Sequence, residues 1–216
     1  MNNRRLSFTR EMLDKLAHEV FPYLTLVNLV GRGEPTMVPT DLWNRLFELC
    51  ETYRVLLTCV TNGSFVKHRF DLEKLRQLDT LTFSIDGMTS EVFAANRGGA
   101  DLGAFMDNLA HFQSLRRDPS LLRPPRLGLS WTLKRNNIEQ FPDFIRFAIA
   151  ADADLLYVRH LLLFRPGDAA QSLVDEPDLC NRYLSAGYAL LKGTRIKLDV
   201  PPLSEVSVHS SQVAAR

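Results

Sequence analysis

The sequence predicts an α/β protein: a partial parallel (β/α) barrel of the TIM type, with five to six βα units. Short β-branched or apolar runs alternate with amphipathic helical stretches five times, the pattern of βαβ units around a parallel sheet. The runs end in loop-forming clusters such as Gly31-Arg32-Gly33-Glu34-Pro35, Thr61-Asn62-Gly63 and Asp86-Gly87. Right-handed crossovers then gather the post-strand loops on one edge of the sheet. An apolar content of 45% over 216 residues is enough for one domain with a real core.

A helix opens at Thr9-Arg10-Glu11, because Met12, Leu13, Leu16 and Val20 recur at helical steps; Ser7 or Thr9 caps it and Phe21-Pro22 ends it. Leu24 to Val30 reads as a buried strand. Asp41 to Tyr53 is helical, with Leu42, Leu46 and Leu49 on one face and Thr40 as candidate cap. Val55 to Val60 is a strand, Asp71 to Gln77 a short helix, and Thr80 to Ile85 a strand. Thr89 to Ala95 and Asp101 to Leu115 are helical on either side of Gly98-Gly99. Leu127 to Leu133 is a strand, and Asn137 caps a helix from Ile138 to Ala150. Leu155 to Phe164 is a strand, Pro177 to Leu191 a last amphipathic helix, and Arg195 to Val200 a possible sixth strand. Residues 1–202 therefore form the partial barrel, and 203–216, without periodic pattern, a frayed tail.

Charge is balanced, 26 Lys+Arg against 25 Asp+Glu, which indicates neither a nucleic-acid face nor an anionic membrane surface. No stretch approaches the roughly 20 apolar residues that span a bilayer, and no apolar run follows the N-terminal charges as in a signal peptide. Three widely spaced cysteines, Cys50, Cys59 and Cys180, do not form a disulfide framework. A cytoplasmic location is the expectation.

The post-strand loops carry the candidate chemistry. Gly31 and Gly33 let backbone approach a ligand beside Glu34 and Pro35, and free peptide groups there suit a small zwitterion; a tight turn with a surface Glu is the plainer alternative. Asn62 precedes Gly63 in a turn that accepts left-handed dihedrals. Ser84 and Asp86, two apart, share one face of an extended chain and suit a ribose or an amino-acid head group, or simply an Asx turn. Arg97, before Gly98-Gly99, offers a guanidinium fork to a carboxylate. Asn137 follows the fourth predicted strand, where capping explains it equally well. His160, within an apolar run, reads as a core histidine.

In chain order, G-x-G-E-P, T-N-G, S-I-D-G and N-R-G-G, with Asn137 beyond them, resemble the radical S-adenosylmethionine (radical SAM) superfamily from about Ser7 to about Pro202. The resemblance is closest to the branch in which a cysteine-rich (SPASM-like) auxiliary-cluster segment follows the barrel. It implies that Gly33, Glu34 and Pro35, with Gly31 nearby, form the loop that binds the amino group of S-adenosylmethionine (AdoMet); Arg32 stands where the family has glycine. It also implies AdoMet contacts for Asn62, Ser84, Asp86, Arg97 and Asn137. Catalytic residues are not assigned.

The family's chemistry uses a [4Fe–4S] cluster held by three thiolates of a Cys-x3-Cys-x2-Cys loop after the first strand. The reduced cluster cleaves AdoMet to a 5′-deoxyadenosyl radical. This sequence holds no such motif, and it opens with a helix where a β-then-α barrel opens with a strand. The expectation is a radical SAM core lacking its first strand and cluster-binding segment, inactive alone, with no metal ligands in this chain. A natural cluster-less homologue is the other explanation. A peptide or small metabolite is the favoured substrate class. Two further readings stay open: a non-catalytic partial barrel that binds AdoMet, a peptide or a protein, and an unrelated lyase using Glu34 and Asp86 as acid and base, with Lys67 and Lys134 its only post-strand lysines.

Overall fold

Six β-strands and eight α-helices alternate in the computed structural model, which describes residues 8–31, 33–164 and 166–201. The strands are β1 (Leu26–Leu29), β2 (Leu56–Thr61), β3 (Leu78–Ser84), β4 (Arg126–Leu133), β5 (Leu155–His160) and β6 (Lys197–Asp199). The helices are α1 (Arg10–Glu19), α2 (Thr40–Tyr53), α3 (Val66–Arg69), α4 (Leu72–Leu75), α5 (Ser90–Asn96), α6 (Leu102–Arg116), α7 (Phe141–Ala150) and α8 (Pro177–Leu190). The strands lie in sequential order, β1 to β6, in one open sheet. β1 pairs parallel with β2, β2 with β3, and β5 with β6. This is the parallel α/β architecture that the alternation predicts.

The chain divides into two compact units, one of residues Met1–Ser84 with Asp101–Gly128, the other of Ile85–Ala100 with Leu129–Arg216. In the first, Trp43 packs on Phe47 and Phe70 at centroid distances of 5.1 and 5.4 Å. Phe83 of β3 meets Phe105 and Phe112 of α6 at 5.8 and 5.7 Å. In the second, Trp131 of β4 stacks on Phe144 of α7 at 4.7 Å. Gly187 lets α8 close on α7, since a Cβ there would stand 2.5 Å from the Phe141 ring.

Several sequence expectations need correction. The strand expected over Leu24 to Val30 is limited to Leu26–Leu29, and it is not buried: exposed and half-buried residues alternate along it. It forms one end of the sheet order and, among the described residues, pairs with β2 alone, so its β-branched composition reflects pairing rather than enclosure. On α1 the buried residues are Leu13 and Ala17, whereas Met12 and Leu16 are exposed; small Ala17 fits the close approach that an apolar count overlooks. Thr9 is its cap, accepting from the Met12 N–H; Ser7 lies outside the described residues.

Thr40 does not cap α2. It is the first helical residue after Pro39, and its hydroxyl accepts from Arg69 Nη1 at 3.0 Å. The strand expected from Leu155 to Phe164 stops at His160, because Leu162, Leu163 and Phe164 run on as exposed loop. The helix expected from Ile138 begins with a 3₁₀ turn over Ile138–Gln140, and α7 proper starts at Phe141. The sixth strand is the short β6, and α3 was not anticipated. The tail from residue 203 lies outside the described residues. No helix among those described is long and apolar enough to cross a membrane.

Candidate functional site

In the first unit the loop after β1 is tied to the end of β2 by one side chain. Glu34 Oε1 accepts from the Thr36 N–H at 3.1 Å, the Thr36 hydroxyl at 2.6 Å and the Thr61 hydroxyl at 2.7 Å. Oε2 accepts from the Asn62 N–H at 2.6 Å. Thr36 and Thr61 are buried and Glu34 is half-buried, so these charge-assisted bonds are partly shielded from water. Glu34 is therefore an internal clamp between the loop after β1 and the end of β2.

Asn62 Oδ1 accepts from the Ser64 N–H at 2.9 Å, and Gly63 adopts φ +83°, the left-handed turn expected of Asn-Gly. Arg69 of α3 holds the following segment. Its Nε donates to the Thr36 carbonyl at 2.7 Å and its Nη2 to the Val38 carbonyl at 2.6 Å. Sequence reading missed Arg69 because its acceptors are main-chain carbonyls some thirty residues away, which leave no side-chain motif. Gly31 and Gly33 behave differently: a Cβ built on either meets nothing within 4 Å, and neither has positive φ. The fold does not require glycine at these two places.

In the second unit, the turn after β3 is organised by Asp86, 3% exposed. Its Oδ1 accepts from the Thr132 N–H of β4 at 2.6 Å, and its Oδ2 pairs with Arg97 Nη2 at 3.0 Å. Gly87 is required sterically, since a Cβ would stand 2.4 Å from the Phe93 nitrogen of α5. Asn137 does not cap a helix: its side chain makes no capping bond. Its Nδ2 donates to the Asp86 carbonyl at 3.1 Å and the Thr132 carbonyl at 2.9 Å, and its Oδ1 accepts from the Lys134 N–H at 2.9 Å. Asn137 is 1% exposed, and a buried amide facing two carbonyls serves better as a brace between turns than as a cap.

Asn96 also donates to the Asp86 carbonyl, at 2.8 Å, and Arg97 Nε is buried without a hydrogen-bond partner. Ser84, at the carboxyl end of β3 in the first unit, is buried. The structure thus brings Glu34 and Asn62 together in one unit, and Asp86, Arg97 and Asn137 together in the other.

The cysteines do not fit a cluster. No group of three or more His, Cys, Asp or Glu among the described residues could hold a metal. Cys50 lies on α2, Cys59 on β2 and Cys180 on α8, all buried. Burial pushes the Cys50 thiol up to about 12 and raises Cys180. Burial, with the Glu34 charge adding, raises Cys59. Thiolates are the species that bind iron, and these sites disfavour them. Iodoacetamide at mildly alkaline pH is therefore expected to leave all three thiols unmodified in the native chain and to alkylate all three in denaturant, as read by intact mass. Rapid modification of any one in the native chain would contradict this picture.

No family model and no curated protein matches the sequence. Solved structures share the fold. SuiB of Streptococcus suis, bound to S-adenosylmethionine, superposes with a TM-score of 0.60 at 19% identity, over 82% of this chain and 39% of that one. SuiB is also similar in its complex with the precursor peptide SuiA. The protein anSMEcpe with bound AdoMet gives 0.66 at 16% identity, over 88% and 52%, and it is also similar in complex with AdoMet and a Cp18Cys peptide. TYW1 gives 0.51 at 18% identity, over 78% and 50%. The chain thus spans about two fifths to half of the length of these structures.

Proposed function

We propose that this chain is a radical SAM core that binds AdoMet and does not itself hold the [4Fe–4S] cluster. The observation that carries the reading is the pair of glycines at 31 and 33, which no packing or dihedral demands and which precede a loop already fastened by Glu34. Open peptide groups suit the ammonium of an amino-acid ligand. The buried Arg97 Nε without an acceptor suits a carboxylate, for which guanidinium is the natural partner. Ser84 and Asp86 are assigned to the ribose or methionyl moiety. In this assignment Asp86 acts mainly by orienting Arg97, since both of its oxygens already serve protein donors. Asn62 and Asn137 hold their loops in place.

AdoMet supplies, when bound, a sulfonium whose C–S bond is cleaved by one-electron reduction. The residues here bind and orient it, and the cysteines do not provide the reducing centre. The solved structures of the same fold that contain S-adenosylmethionine or a peptide support AdoMet as ligand and a peptide as the substrate class. The ordered motifs support the branch with a cysteine-rich segment after the barrel. The three buried thiols favour a second reading, a non-catalytic AdoMet- or peptide-binding barrel. The commitment of the Glu34 and Asp86 carboxylates to protein donors speaks against an acid–base lyase.

Calorimetry with AdoMet tests the proposal. One equivalent is expected to bind, and Gly33→Ala is expected to weaken it about tenfold, or roughly 1.4 kcal/mol, with the unfolding temperature unchanged. Absence of AdoMet binding to the wild-type chain would refute it. Reconstitution with iron and sulfide is expected to give no cluster absorbance with this chain alone; a stable cluster would overturn that part.

A further inference from the structure

Beside the free edge of β1, within the first unit, lies an apolar groove of about 1630 Å³. It is larger than the roughly 300–1,000 Å³ that encloses a small ligand. β1 lines one side of it, and Leu13 of α1 and Leu42 and Trp43 of α2 line another. α1 stands beside α2, with Asp14 3.7 Å from Arg45, and so overhangs the edge of the sheet. Leu16, Leu26 and Val30 also line the groove and are exposed. So continuous an apolar surface marks an interaction site.

The edge has unmet backbone capacity as well. The Leu56 N–H donates to the Thr25 carbonyl at 3.0 Å, so Thr25 turns its peptide group to β2. Peptide groups alternate sides along a strand, and Leu26 and Asn28 therefore turn theirs to the free edge. No further strand among the described residues lies there. Apolar walls around a row of unpaired N–H and C=O groups fit an added strand. Among the described residues the lining holds no Lys, Arg or Asp, and its Glu34 carboxylate is already committed to Thr36, Thr61 and Asn62. A charged inward side chain would find no counterion. α1 also disfavours a second copy of this chain. Two copies joined edge to edge would bring two α1 helices over one strand spacing of about 4.8 Å, whereas packed helices need about 8–10 Å.

We propose that this edge is a docking site for an extended segment of a partner polypeptide, uncharged and apolar on its inward face, which adds to the sheet as a strand beside β1 and under α1. The groove reaches Gly31 and Gly33, so the occupant borders the loop assigned to AdoMet, but the proposal stands without that assignment.

The probe is the fluorescein-labelled hexapeptide Thr-Val-Thr-Val-Thr-Val-amide, which covers the four residues of β1 with one to spare at each end. Anisotropy titrations use the full chain without AdoMet, so their outcome is independent of cofactor binding. Saturable binding is expected. Leu16→Lys is expected to weaken it about tenfold by placing a charge in the groove, whereas Val174→Lys, in the second unit, leaves it unchanged. Both side chains are exposed, so both variants should keep the wild-type unfolding temperature. On the unmutated chain, the peptide is expected to slow amide exchange at Leu26 and Asn28. Its fully N-methylated form, which has no backbone donors, should bind about tenfold more weakly.

The proposal is overturned by absence of saturable binding, or by equal binding of the N-methylated peptide or by Leu16→Lys. Slow exchange at Leu26 and Asn28 before any peptide is added would overturn it too, because the edge would already be covered. So would a concentration-dependent dimer in sedimentation that Leu16→Lys abolishes, which would make a second copy the occupant.

Discussion

Glu34→Ala is expected to lower stability by about 3 kcal/mol, hence the unfolding temperature by about 6–12 °C at the usual slope for a chain of this size. Four donors lose their acceptor at once: the Thr36 N–H and hydroxyl, the Thr61 hydroxyl and the Asn62 N–H. Hydrogen bonds to a charged acceptor each net about 1.5–3 kcal/mol, but bonds sharing one acceptor are not additive, and the total is set well below their sum. Glu34→Gln is nearly isosteric, yet it places an NH2 among N–H and O–H donors and should recover little. Calorimetric unfolding of the three proteins checks this. A change below about 1 kcal/mol for Glu34→Ala would mean that the clamp does not form in solution.

The second large effect is expected at Asp86. Asp86→Ala leaves the partly buried Arg97 guanidinium without its 3.0 Å partner and the Thr132 N–H without its acceptor. Removing one member of a buried pair typically costs about 3–5 kcal/mol, because the remaining charge is uncompensated. Removing both members leaves no such charge. The double variant Asp86→Ala, Arg97→Leu is therefore expected to unfold at higher urea than Asp86→Ala alone. Urea midpoints of the full mutant cycle measure the coupling. A double variant less stable than either single one would show that the pair does not carry the cost.

The motifs and the brace are related by a regularity that no single motif states. Each strand-end turn that resembles a binding loop is held by a side chain from elsewhere in its own unit: Glu34 reaches to Thr61 and Asn62, Arg69 to Thr36 and Val38, Asn137 to Asp86. Residues that looked like ligands on composition prove to be the fasteners of the loops. By contrast, the backbone at Gly31 and Gly33 borders open space, and Arg97 Nε is buried without a hydrogen-bond partner. Lys134 was legible only as a lysine past a strand; its acceptor, Asn96 Oδ1, lies 38 positions away in the chain.

The linear chain determined the parallel α/β class, the order of the strands, most helix starts and the grouping of polar residues at strand ends. All of these follow from periodicities and turn chemistry that act over a few residues. Thr9, Asp71, Thr89 and Asp101 cap their helices through their own neighbours three residues on, which is why such caps can be read locally. Tertiary structure alone decided that β1 is half exposed, that Thr40 and Asn137 serve distant partners rather than helix ends, and that the Glu34 and Asp86 carboxylates are spent within the protein. A hydrogen bond or a buried face belongs to the partner as much as to the residue, and these partners are set by how the strands are brought together in space.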